Sequence, residues 1–224
     1  RSGALHPVAR GVYRRSEFIE TDPALRRADA FLARVRATHL LWDGELVFAG
    51  FAAAAVWRIP TIGPAPKRID VASAPARGGR SNTALRRSYV PDVTEYEIVD
   101  GLRVTPVART VIDVARWGTF SQGVIACDAA LHGSHKTSEQ ISRTPLGMSE
   151  LISAGRMLGS VPGKRKSAAV VAFSDGRAES PGESLSRVAI NELGMPCPVL
   201  QQEFYDRSGL VGIVDFWWPE FNLI

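Results

Sequence analysis

The sequence predicts an α+β protein in which short strand hairpins alternate with amphipathic helices. Three observations carry that expectation. Apolar residues recur at three-and-four spacing in several segments that begin with capping signals. Short extended runs meet at Asp-Gly and similar turns. The hydrophobic share of 45% and the charged share of 22% match a globular chain able to bury a core. A length of 224 residues suits one or two compact units. No apolar run approaches the roughly 18 residues of a membrane span, so no membrane partner is expected. Cys127 and Cys197 lie far apart without metal-ligand spacing, which argues against a disulfide framework or zinc site and fits a reducing, cytoplasmic compartment. The chain starts at Arg1 without Met or signal peptide, and both ends read as cut. A net charge of +4 and a pI near 9.4 permit a nucleic-acid partner without requiring one.

The opening, residues 4 to 15, reads as two extended pieces joined by a turn, with Arg10, Arg14 and Arg15 around Val8, Val12 and Tyr13. This has the form of the wing of a winged helix, and the arginines are candidate DNA contacts. Asp22-Pro23 begins a helix whose inner face would carry Leu25, Ala28, Leu32, Val35 and His39. A strand over 45 to 49 leads into an alanine-dense helix ended by Pro60. Residues 67 to 72 and 87 to 90 read as strands. Between them, Arg77, Gly78, Gly79 and Arg80 form a loop that matches no phosphate-cradling spacing.

Asp100-Gly101 is the strongest hairpin signal, between strands 95 to 99 and 102 to 104. Thr105-Pro106 then caps a helix with Val107, Val111, Val114 and Ala115 inside and Arg109 and Asp113 as a surface pair. Helices follow over 121 to 131, from a capping box at Thr137 and Gln140, and over 149 to 158. Lys164, Arg165 and Lys166 open another helix and are further candidate DNA contacts, and Ser174-Asp175-Gly176 breaks it. A boundary with few crossing contacts is expected over 174 to 178. His132 and His135 sit in a Gly/Ser-rich turn with no carboxylate or thiol at helical spacing, which argues against a metal site there.

Ser180-Pro181-Gly182-Glu183 is a compact helix start: a Ser cap, Pro at the first turn and Glu placed to reach back. The stripe Leu185, Val188, Ala189 and Leu193 would be buried, with Gly194 and Pro196 as the stop. Residues 198 to 205 and 210 to 218 should pair as antiparallel strands around a turn at 206 to 209, with the helix packed on them and Leu223-Ile224 opening a third strand. Asp215 stands among Ile213, Phe216, Trp217 and Trp218. Burying a carboxylate there costs several kcal/mol without a cation or donors, so a specific partner is expected.

A helix with an N-terminal Glu, then a hairpin whose second strand carries Asp, is the order of the PD-(D/E)XK nuclease superfamily. Glu179-Ser180-Pro181-Gly182-Glu183-Ser184, Leu193-Gly194 with Pro196 and Pro198, and Val214-Asp215-Phe216-Trp217-Trp218-Pro219-Glu220 resemble the very-short-patch-repair-like endonuclease domain of many actinobacterial proteins. Those proteins often place it behind a winged helix and a helical region related to AbiEi-type antitoxins. Gly11-Val12-Tyr13, Ala52-Ala53-Ala54-Ala55 and Val104-Thr105-Pro106 through Arg109-Thr110-Val111-Ile112-Asp113 are similar to that front part. The resemblance implies a winged-helix remnant over 1–20, an AbiEi-like mostly helical region over 21–176, and over 177–224 an incomplete front part of a PD-(D/E)XK-like αβββ fold.

By the same resemblance Asp215 is the metal-binding catalytic acid and Glu183 the helix acid that assists it. Glu183 also has a purely structural role open to it, as the capping-box residue. An acid-x-Lys element just after Ile224 would supply a second ligand and the lysine that positions water. The cofactor implied is Mg²⁺, with Mn²⁺ as a substitute, because clustered carboxylates suit a hard cation. Two functions follow: a metal-dependent DNA endonuclease, or a non-enzymatic antitoxin or autorepressor with a cognate toxin partner and a decayed nuclease fold.

Overall fold

The computed structural model describes residues 4–22, 25–73, 84–89, 95–133 and 144–224, and its elements mix helices and sheets as the sequence patterns predict. The chain opens with the antiparallel hairpin β1 (Leu5–Ala9) and β2 (Val12–Arg15), followed by α1 (Arg26–Leu41). The hairpin is tied to the helix by Arg14, whose guanidinium grips Asp29 at 2.5 and 2.9 Å. α1 buries Phe31, Leu32, Val35 and Ala37, whereas Leu25, Ala28 and His39 are exposed. The inner face is therefore shifted from the expected one: its first and last turns project beyond the core.

β3 (Val47–Phe48), β4 (Ile69–Ser73), β5 (Leu85–Tyr89), β6 (Glu97–Val99) and β7 (Leu102–Val104) form one mixed sheet in the order β5-β4-β3-β7-β6. The β6–β7 turn has Asp100 at φ 49° and Gly101 at φ 76°, the left-handed pair that a two-residue hairpin requires. The alanine-rich α2 (Gly50–Val56) is buried along its length, because only small side chains let a helix sit this close to the sheet and to α3. Gly50 marks the tightest approach: a Cβ there would collide with the Trp117 ring.

α3 (Val107–Trp117), α4 (Phe120–His132), α5 (Met148–Met157) and α6 (Lys164–Phe173) complete the body. α4 has the capping box that α3 lacks: Gln122 N donates to Thr119 Oγ1 at 3.2 Å, and Thr119 N to Gln122 Oε1 at 2.9 Å. At α3, Thr105 hydroxyl and carbonyl instead meet Thr110 Oγ1 at 2.7 and 2.9 Å, and no side chain caps the helix. The second capping box expected, at Thr137 and Gln140, lies outside the described residues. So do the Arg77 to Arg80 loop and His135. His132 Nδ1 lies 3.2 Å from the Gly176 carbonyl, a structural role.

Arg109 and Asp113 do pair at 3.0 Å, but not on the surface. Asp113 is fully buried and is also held by Arg116 at 2.6 Å and Ser88 Oγ at 3.2 Å. Nearby, buried Asp70 accepts from Arg86 at 2.6 and 2.9 Å and from Phe51 N at 3.0 Å. Burial lifts the Asp70 carboxyl above its ordinary range although Arg86 opposes this. Arg86 lies 4.2 Å from the Trp117 ring centroid. These ions join β4, β5 and α3 beneath the sheet.

α7 (Pro181–Glu192), β8 (Val199–Asp206) and β9 (Gly209–Trp217) end the chain as expected in order and pairing, with β8 and β9 antiparallel from Val199–Trp217 to Asp206–Gly209. Two expectations fail. α7 packs chiefly on α4 through Ser184 and Val188, leaving Leu185 at 43% and Leu193 at 76% exposure. The polar bonds of Ser184 and Arg187 to α4 rotate the helix away from its most apolar stripe. After β9, a 3-10 turn (Pro219–Phe221) brings Leu223 back to a single antiparallel bridge with Trp218.

Candidate functional site

Glu183 and Asp215 come from different elements and meet at one side chain. Glu183 stands in the first turn of α7, where Ser180 Oγ accepts from its N at 3.2 Å. Its carboxylate reaches back to Glu179 N at 2.9 Å and accepts from Ser180 Oγ at 2.6 Å. The capping role is therefore real, displaced by one residue from Ser180 N to Glu179 N.

Asp215 lies on β9, between the paired positions Leu200–Phe216 and Gln202–Val214, and so opposite Gln201. Gln201 Nε2 donates to Glu183 Oε2 at 3.0 Å and to Asp215 Oδ1 at 3.2 Å. Its backbone is left-handed, with φ 50°, a conformation that non-glycine residues adopt at a cost and that clusters at functional positions. Asp215 is exposed rather than buried. The expected desolvation does not arise, and the donor is the Gln201 amide. Nothing in the sequence singled out Gln201; the register that sets it opposite Asp215 is the signal that finds it.

The arrangement offers two acceptor groups held on a common donor, open to solvent. Mg²⁺ binds through one or two carboxylates and keeps several waters; here both carboxylates already accept from the Gln201 amide, which an ion between them would have to displace. Among the described residues no group of three or more His, Cys, Asp or Glu is placed to hold a metal.

The basic candidates separate into two kinds. Arg10 at the hairpin tip, Arg15 and Arg165 are exposed, although Arg15 lies 3.4 Å from Glu17. Arg14 faces inward to Asp29. Lys164 Nζ donates to the Gly159 carbonyl at 2.8 Å, and Lys166 Nζ to the Gly118 carbonyl at 2.6 Å. Burial lowers the Lys166 pKa. The two lysines secure the start of α6 and the end of α3, so they do not form the free basic cluster that their sequence suggested. Cys127 is buried, which pushes its thiol up to about 12, while Cys197 is exposed; both are free.

No family model matches this chain. It is 32% identical over 128 residues to two Mycobacterium tuberculosis proteins, uncharacterized protein Rv2248 and uncharacterized protein MT2308, a match covering 56% of this chain. The chain spans 42% of the length of these curated relatives. Among solved structures it is similar to the Rv2827c protein of M. tuberculosis, with a TM-score of 0.40 and 13% identity over 90% of this chain and 72% of that one. No helix among the described residues is long and apolar enough to cross a membrane.

Proposed function

We propose that the chain is the DNA-binding and front catalytic part of a metal-dependent endonuclease-like protein of the very-short-patch-repair type. One observation carries this reading. The two acids that the sequence resemblance nominates, Glu183 and Asp215, share a single amide, although 32 positions of chain separate them. Under this reading Glu183 and Asp215 hold Mg²⁺, or Mn²⁺ in its place. When bound, the ion neutralises a phosphate and lowers the pKa of its water. Gln201 keeps the two carboxylates from drifting apart. The exposed arginines of the β1–β2 hairpin, Arg10 and Arg15, bind the DNA backbone.

The second reading is a non-enzymatic AbiEi-like regulator that binds DNA or a toxin through its front and middle regions. It is favoured by the sparseness of the acid site, since among the described residues no group of three or more His, Cys, Asp or Glu is placed to hold a metal.

Cleavage assays separate the two. The chain itself is expected to bind Mg²⁺ or Mn²⁺ weakly and to cut nothing, since metal-assisted hydrolysis needs the water positioned as well as the phosphate neutralised. A form carrying a further strand with acid-x-Lys and a helix after Ile224 is expected to cut DNA. Asp215→Ala should then abolish cutting and leave DNA binding intact. Binding of DNA or toxin by that form without metal-dependent cleavage would establish the regulator.

A further inference from the structure

Neighbouring residues of α7 serve different partners. Glu183 meets Gln201 of the hairpin, while Ser184 and Arg187 turn to Asp128 on α4. Asp128 is 1% exposed. Its Oδ1 accepts from Asp175 N at 2.8 Å, and its Oδ2 from Ser184 Oγ and Arg187 Nη1, each at 2.8 Å. Arg187 also donates to the Phe173 carbonyl at 2.7 Å and lies 4.9 Å from that ring. One carboxylate thus fixes both the crossing from α6 to α7 and the first two turns of α7. The sparse crossing expected over 174 to 178 is not what forms: Ser174 and Ala178 are buried there as well.

We propose that Asp128 is a positioning residue for the Glu183–Gln201–Asp215 site, holding α7 in the orientation that brings Glu183 to Gln201. The helical body thereby governs the geometry of the acid pair. This rests on the reading of that pair as a cation site. Val188 is the one residue of the expected apolar stripe that is buried; Leu185 and Leu193 stay outside while Ser184 is buried, so the side of α7 that faces the body is the one that carries the polar tie. A buried carboxylate satisfied by three donors from two segments also has one geometry, where a greasy contact has many.

The test uses the whole chain with Asp128→Ala and, as a packing control on the same helix, Val188→Ala. Two readouts are followed: amide hydrogen exchange, and Mn²⁺ binding by water-proton relaxation. Asp128→Ala is expected to speed exchange at Glu183 and Ser184 about tenfold or more while α3 stays protected, and to weaken Mn²⁺ binding about tenfold, as loss of an outer partner does. Val188→Ala should lower the melting temperature and leave both readouts near wild type. Equal shifts in the two variants would overturn the proposal, because packing would then set α7. If wild type binds no Mn²⁺, the cation reading fails and the tie is judged on exchange alone. Should Asp128→Ala not fold, Ser184→Ala removes one donor and should speed the same amides about threefold; unchanged exchange would overturn the tie.

Discussion

Glu183 Oε2 and Asp215 Oδ1 accept from the same nitrogen, Nε2 of Gln201, at 3.0 and 3.2 Å. The residue that supplies this nitrogen sits at φ 50°, so the bridge is made against a backbone preference. Replacing Gln201 by Ala or Gly removes the amide in both cases, but only Ala retains the left-handed penalty. Gln201→Gly is expected to be more stable than Gln201→Ala by about 1 kcal/mol in urea unfolding. Equal stabilities would mean that the left-handed backbone is not kept in the variants.

Asp128 gives the chain a pH signature. Burial raises its carboxyl to about 6, against the hydrogen bond from Asp175 N and the nearby Arg187. A raised folded pKa means that the folded state holds the proton more tightly than the unfolded chain. The resulting stability is fully present below the ordinary value of 3.8 and is lost as pH rises through about 6. The stability difference between wild type and Asp128→Ala should therefore shrink by on the order of 2–3 kcal/mol from pH 4 to pH 7. Unfolding curves at both pH values check this, and a difference that grows with pH would contradict it.

Much of the fold was legible because its signals are local. The Asp100-Gly101 hairpin, the small-residue helix α2 and the Ser180-Pro181 helix start each follow from a few adjacent residues, and each forms. Sheet order was not legible: β3 pairs parallel with β7 and antiparallel with β4, across separations that no short motif encodes. The buried side of α7 was misread for a related reason. Of the expected stripe Leu185, Val188, Ala189 and Leu193, only Val188 is buried, because the helix turns Ser184 and Arg187 inward to an acid 56 and 59 positions earlier. At the candidate site, Glu183 and Asp215 were named from resemblance, and Gln201 emerged only from the register.

Asp113 marks the interior tie that the sequence placed on the surface. Its carboxylate has no exposure and faces Arg109, Arg116 and Ser88. Asp113→Ala leaves two guanidinium groups, 14% and 5% exposed, without their buried anion. Breaking one side of a buried ion pair costs about 3–5 kcal/mol, so this variant should lose that much in urea unfolding or fail to accumulate. Arg165→Ala, on the surface, should stay within about 0.5 kcal/mol of wild type.

The front hairpin separates solvent-facing arginines from a committed one. Arg10 and Arg15 face solvent, whereas Arg14 is committed to Asp29 in a two-bond grip that holds β2 on α1. If DNA lies on this hairpin, removing Arg10 deletes a phosphate contact, and removing Arg15 deletes one together with its exposed ion pair to Glu17. Each substitution by Ala should then lower affinity similarly for all sequences and reduce the slope of log K against log salt by about 0.9. Arg14→Ala should act differently, lowering the melting temperature because the hairpin loses its anchor. A double variant, Arg14→Ala with Asp29→Ala, tests the distinction, since it removes the ion pair without leaving the Asp29 charge with only Glu20 N as its donor. It should recover part of the lost stability without recovering DNA affinity beyond that of a loosened hairpin. If Arg10→Ala and Arg15→Ala leave both affinity and salt slope unchanged in fluorescence anisotropy titrations, the DNA surface lies elsewhere on the molecule.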